Sequence, residues 1–548
     1  MRTHLGRLLP MPRRAGSLPG VCVAVGLALA GLGATSDVRL VNAVRAQDKD
    51  AVRALLRQHA NVNATEPDGA TALHWAVHWE DVDLTDLLIK AGANVNLAND
   101  LGVTPLFMAS SQGNAAIVKR LVAAGANPNT AIPSGETALM AAARMGSLPA
   151  VEALLVRGAD VNVAEPSHGQ TALMWAVANR YPAVVRTLLE YGADVTARTG
   201  TRRMVLNMGG NRSAGNATKD TPVAEVEVGG STPLLFAARQ GDVESARLLV
   251  DWGADLGDRG PDGTTALVMA AHSGNGPVAM FLLDKGANPN AADTGYTALH
   301  AAVLRADLVD PLVELGFVKE KEREYRARDH SPGLILVKAL LAHGANPNAR
   351  ITKATPVRRW SQDFAFIDRW LGATPFWLAA KFLEFDMMRA LVAGGADPRI
   401  PSDDGTTPLM AAAGMGYRRA SGTEAFIKDR RDFSYYNNDT SDIAARIPSD
   451  EQKLTVEAVK LVVELGGRNI NATSKSGDTA LHAAASLGLD GVVQFLADAG
   501  AKLDIKNKTG QTPLDMTMSR PAPGAQAGSE VIFKSTAELL KQLASKTQ

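Results

Sequence analysis

Two histidines four residues apart, His74 and His78 in "ATALHWAVHWEDVD", have the type and spacing to do chemistry. On a helix, positions i and i+4 share one face. Two imidazoles placed so could ligate a metal, and Glu80 or Asp81 within a turn could act as third ligand or general base. A metal centre also needs a full ligand count and partners that orient each ligand, and the stretch shows neither. Other chemical signatures are missing from the sequence: it has no His-Glu-x-x-His, no Gly-x-Ser-x-Gly, no Walker Gly-Lys-Ser/Thr and no Cys-x-x-Cys-His. The one cysteine, Cys22, leaves no disulfide or thiol chemistry downstream of it. The reading is therefore non-enzymatic, with no cofactor and no metal.

Lys plus Arg and Asp plus Glu both number 57, so no overall positive field draws in nucleic acid or anionic membrane. Aromatic residues make up 5% of the chain while glycine numbers 50, which suits closely packed helices and tight turns better than thick aromatic cores. Residues 1–36 differ in kind. Arg2, Arg7, Arg13 and Arg14 precede the apolar run "VCVAVGLALAGLGATS", the layout of a secretory signal peptide. The run is short for a membrane span, so export to the periplasm or beyond the cell is expected, with Met11 as an alternative start and an uncleaved anchor as the rival reading.

The elements that hold the two histidines recur along the chain. "TALHWA" at Thr71 is echoed at Thr104, Thr137, Thr171, Thr232, Thr265, Thr297, Thr374, Thr407, Thr479 and Thr512. Most intervals are 32 to 34 residues, and three longer ones hold insertions. Within a unit, threonine caps a helix that opens on Pro or Ala, and alanine pairs such as Ala141 and Ala142 let neighbouring helices approach. A second helix carries paired aliphatics such as Leu154 and Leu155, and Gly158 takes the left-handed place after it. An Asn-, Asp- and Gly-rich turn follows. The period is helix, turn, helix, extended finger.

This pattern resembles the ankyrin repeat, with its Thr-Pro-Leu-His, Ala pair, Leu-Leu and Gly-Ala-Asp/Asn signature and its period of about 33 residues. The resemblance implies an all-α repeat solenoid of about twelve helix-turn-helix units with finger loops, interrupted by four long insertions. After the signal segment, residues 37–69 would be an N-terminal capping repeat. Repeats fill 70–198 and 227–305 on either side of a finger insertion at 199–226. A segment at 306–331 parts two helices, a repeat helix occupies 332–350, and an aromatic, basic finger insertion spans 351–370. Repeats resume at 371–416, a second inter-helix insertion covers 417–452, and 453–548 ends in a C-terminal cap. The resemblance also makes His74, His300 and His482 structural, each bonding turn backbone between units. Met140, Met174 and Met410 stand at the same place elsewhere, which a shared metal site would not allow.

Function then falls to the surface built from finger tips and first-helix ends. By the family pattern it presents His78, Trp79, Gln112, Arg144, Met145, Asn179, Arg239, Gln240, His272, Tyr296, Arg305, Lys381 and Phe382. Aromatic, Met and Arg side chains are the types enriched at interface cores. The insertions at 351–370 and 417–452 concentrate further aromatics, among them Trp360, Trp370, Tyr435 and Tyr436, and could wall the same stretch of groove from opposite rims. The expected function is protein binding or scaffolding by a monomer with an unidentified protein partner. The alternatives are a small-ligand or enzyme site within 351–452 and a structural envelope component.

Overall fold

The computed structural model describes residues 37–207, 223–305, 331–353, 370–415, 449–518 and 533–547. Among these the chain forms twelve consecutive helix pairs and one two-stranded sheet. Within a pair the first helix is short, as in Ala72–His78 and Ala138–Met145, and the second is typified by Val82–Lys90 and Leu148–Val156. The capping threonines explain where the first helices begin. Thr71, Thr104, Thr137 and Thr374 are extended, and each hydroxyl accepts the backbone N–H three residues on. Pro105, Pro375 and Pro408 follow at the first helical position, where no N–H is needed.

Each first helix packs on the first helix of the unit before and after it, and from the second unit onward the second helices do the same, giving two rows. Between the rows lie Leu73, Leu88, Leu106, Leu121, Leu139 and Leu154, all essentially without exposure. A fully buried leucine contributes roughly 1.5–3 kcal/mol, so stability accrues unit by unit rather than from one central core. Fully buried alanines such as Ala76, Ala142 and Ala484 keep the first helices close.

A ladder of asparagines fastens the fingers together. In each rung the side-chain Nδ2 donates to a glycine carbonyl one unit on, and the Oδ1 accepts the backbone N–H two residues past that glycine. Asn129 bonds Gly158 O at 3.0 Å and Asp160 N at 2.8 Å. The same pair of bonds is made by Asn63, Asn96, Asn162, Asn290, Asn348 and Asn471. Thr196, Gly257 and Arg399 stand in the corresponding place in other units and make no such rung. Across the first of these gaps Arg198 reaches the carbonyls of Gly230 and Arg259, both at 2.9 Å, and pairs with Asp258, and across the second Arg259 pairs with Asp293 at 2.8 Å.

The lengthened finger after the fifth pair is a β-hairpin. β1 (Arg202–Asn207) pairs antiparallel with β2 (Val223–Val228), Arg202 opposite Val228 and Asn207 opposite Val223. The second strand thus runs two residues past the 199–226 boundary. Other expected boundaries shift as well, because the helices Ser331–Ala342 and Ser449–Glu464 begin inside the segments assigned to insertions. Among the described residues no helix is long and apolar enough to cross a membrane. Residues 1–36 lie outside the described residues.

Candidate functional site

The two histidines that suggested a metal site have separate duties. The Nδ1 of His74 accepts the Thr71 backbone N–H at 3.2 Å and lies 2.9 Å from the Thr71 hydroxyl. An acceptor Nδ1 fixes the proton on Nε2, which donates to Val103 O in the next finger at 3.0 Å. Both ring nitrogens are committed, and burial lowers the pKa of the ring, keeping it neutral. His300 and His482 repeat the arrangement with Ala373 O at 3.3 Å and Gln511 O at 3.1 Å. His78 instead lies edge-on to Trp75 and Trp79. Among the described residues no group of three His, Cys, Asp or Glu comes together as a metal site would need.

The surface at the first-helix ends is produced by an abrupt stop. After most of the short first helices the backbone turns left-handed. Glycine supplies this turn at Gly113, Gly146, Gly241 and Gly274, while Gln47, Glu80, Arg180 and Leu383 adopt it with side chains attached. The residues just before the turn are thereby carried out of the helix row. Trp79 is 40% and Met145 46% exposed. Asn179, Arg239 and Gln240 are also exposed, while His78, Gln112, Arg144 and His272 are half-buried. Gln112 Nε2 donates to His78 O at 3.3 Å, tying two neighbouring units at this surface.

Four expected surface residues are interior instead. Tyr296 is 4% exposed, with its hydroxyl 3.0 Å from His272 Nδ1, so it braces the finger. Phe382 is 1% exposed and packs edge-on against Trp370, itself 2% exposed, at 5.6 Å. Lys381 is 1% exposed, with its Nζ 6.0 Å from the centre of the Trp377 ring. The cause is the apolar stretch "FWLAAKFLEF", in which even the left-handed turn residue Leu383 is only 6% exposed. Trp360, Tyr435, Tyr436 and the Arg305 side chain lie outside the described residues.

Two arginine–tryptophan pairs, unforeseen from the sequence, stiffen the exposed surface. Arg45 lies 5.7 Å over the Trp75 ring, and Glu66 joins both, taking Arg45 Nη1 and Trp75 Nε1 at 2.7 Å each. Arg144 lies 5.4 Å over the Trp175 ring and meets Glu136 at 3.4 Å. Here the indole Nε1 is buried without a partner. Glu165, which follows the paired finger residue Ala164 as Glu66 follows Thr65, folds back onto the N–H groups of Ser167, His168 and Gln170. The signal was present: Arg45 and Arg144 each lie in the last turn of a first helix about one repeat before a tryptophan.

Comparison with known proteins agrees with this architecture. The family profile described as ankyrin repeats (3 copies) matches residues 40–132, 125–199, 234–322 and 444–520, together more than half of the chain. The chain belongs to the ankyrin-repeat family. Its ankyrin units are similar to part of the E3 ubiquitin-protein ligase KEG of Arabidopsis thaliana, 29% identical over 280 residues, 42% of this chain and 16% of that protein. The chain thus spans about one sixth of that relative's length. Among solved structures it is similar to the human ASB11 ankyrin repeat domain, 28% identical, covering 46% of this chain and 98% of that one with a TM-score of 0.36. Ankyrin repeats are protein-interaction modules, and the exposed first-helix ends are where this one differs from unit to unit.

Proposed function

We propose that this ankyrin array is an exported, non-catalytic scaffold that binds a protein partner along its first-helix ends. The signal-peptide layout of residues 1–36 supports export. The observation that carries the binding role is the contrast within single units. The core residues Val77 and Ala143 are fully buried, whereas Trp79 and Met145, two residues further on, are nearly half exposed. Large apolar side chains set on a rigid frame lose little conformational entropy on contact and supply the anchors of an interface.

Photo-crosslinking in the native host tests this. The photoreactive residue p-benzoylphenylalanine is placed at Trp79 or Met145, and at Val156, a 70% exposed residue at the end of a second helix, as control. A discrete protein adduct from the first two positions and none from Val156, in envelope or culture-supernatant fractions, supports the reading. Adducts of equal yield from all three sites, or none from Trp79 and Met145, would refute it.

A further inference from the structure

We propose that the exposed face of Trp79, together with the carboxylate of the next residue, Glu80, receives an arginine side chain of the protein partner. The inference rests on the protein-binding reading and names the chemistry of one contact within it. The chain itself supplies two templates. Arg45 over Trp75 is held by Glu66, and Arg144 over Trp175 is held by Glu136. In each, a planar guanidinium lies on an indole face while a carboxylate fixes its edge, the geometry that arginine satisfies better than lysine.

Trp79 and Glu80 provide the indole and the carboxylate a third time, and among the described residues no cation lies over Trp79. The indole is already oriented. It stacks at 6.3 Å and 30° on Trp75, and His78 braces it edge-on at 4.9 Å. Glu80 is set at the left-handed turn, φ 55°, where five other described units use glycine. Its Oε2 accepts from Asn114 Nδ2 at 3.2 Å, which leaves Oε1 for an incoming donor. Lys49, the cation that reaches the adjacent residue, is committed to Asp81 at 2.7 Å. An oriented ring, a fixed carboxylate and no resident cation are complementary to a guanidinium.

The test uses the full chain with its seven tryptophans replaced by 5-fluorotryptophan, the Trp79 resonance being assigned from Trp79→Phe. Acetyl-Gly-Arg-Gly-amide is titrated in parallel with its lysine and citrulline analogues, and fluorine NMR reads each ring. Expected is a saturable shift of the Trp79 resonance with the arginine peptide, a weaker response to lysine and none to citrulline. Glu80→Gln, which keeps an oxygen for Asn114, should weaken the arginine response by about tenfold, the scale of one charge-assisted hydrogen bond. Equal shifts from citrulline, stronger binding of lysine, an unchanged affinity in Glu80→Gln, or shifts confined to other tryptophans would each overturn the assignment. Because the peptide is supplied, this outcome does not depend on whether crosslinking finds a partner.

Discussion

Acidification should loosen the array at His300. This imidazole is wholly buried, with Nδ1 2.8 Å from the Thr297 hydroxyl and Nε2 donating to Ala373 O across the gap between units. Burial pushes its pKa down from 6.5 to about 4, and contacts with the carbonyls of Ala373 and Ala349 offset only part of that. The unfolded chain takes up a proton near pH 6.5, the folded chain only near 4. Between these values the unfolded state binds more protons, so stability is intact above pH 6.5 and falls as the pH drops. At about 1.4 kcal/mol per pKa unit, the loss amounts to roughly 3 kcal/mol once the pH falls below 4, most of it already present at pH 4.5. Hydrogen exchange of the Ala298–Arg305 and Pro375–Lys381 helices reads local opening free energy directly, even where a repeat array does not unfold in one step. After correction for intrinsic rates, protection should fall by more than tenfold between pH 7.5 and 4.5. In His300→Met, which borrows the residue found at this place in Met140 and Met174, the fall should shrink to a few-fold. Equal protection at both pH values in the wild type, or an undiminished fall in the methionine variant, would refute the reasoning.

Cutting one ladder rung by Asn129→Ala removes two hydrogen bonds and should lower stability by roughly 1–2 kcal/mol, measured by urea unfolding, with exchange rising first in the fingers on either side. Trp75→Phe severs the indole bond to Glu66, whereas Trp175→Phe removes a donor that is buried without a partner. Trp75→Phe should therefore cost roughly 1–3 kcal/mol more than Trp175→Phe, a ranking that paired thermal melts can check. Gly135→Ala and Gly158→Ala both force a left-handed alanine, at φ 85° and 80°, but only at Gly135 does the new Cβ run into Pro166 of the next finger. Gly135→Ala should show the larger drop in melting temperature.

The repeat itself was legible in the sequence because its cause is local. A threonine cap, a proline or alanine after it and a glycine past the second helix are each readable within a few residues, and their recurrence fixed the architecture. The structural role of His74 followed from Met140 and Met174 at the same place. What was not legible depended on pairing across units. Asn63 and Asn471 could be read as turn residues, but not as rungs, since each partner lies about 30 residues away. Positional analogy placed Tyr296, Lys381 and Phe382 on the surface, yet whether a helix end is covered depends on what packs over it. The hairpin was hidden by its surroundings in a Gly- and Asn-rich stretch, although Val226 and Val228 alternate with Glu225 and Glu227 as strand residues do.

The interrupted ladder gives the array uneven mechanics. Four rungs in succession, from Asn63 to Asn162, lock the first five units with neutral amide bonds that ignore salt. The joint at Thr196 is spanned instead by Arg198, whose grip on Asp258 is ionic and partly exposed, and the joint at Gly257 by the exposed ion pair of Arg259 with Asp293. Charge attraction at such a place weakens as counterions accumulate. The N-terminal units therefore behave as a stiff arm and the sixth and seventh as an elbow whose resistance to bending is tuned by ionic strength. Trp79 and Met145 lie on the arm, Arg239 and His272 at the elbow, so the spacing between these two contact zones is adjustable while the spacing within the first is not.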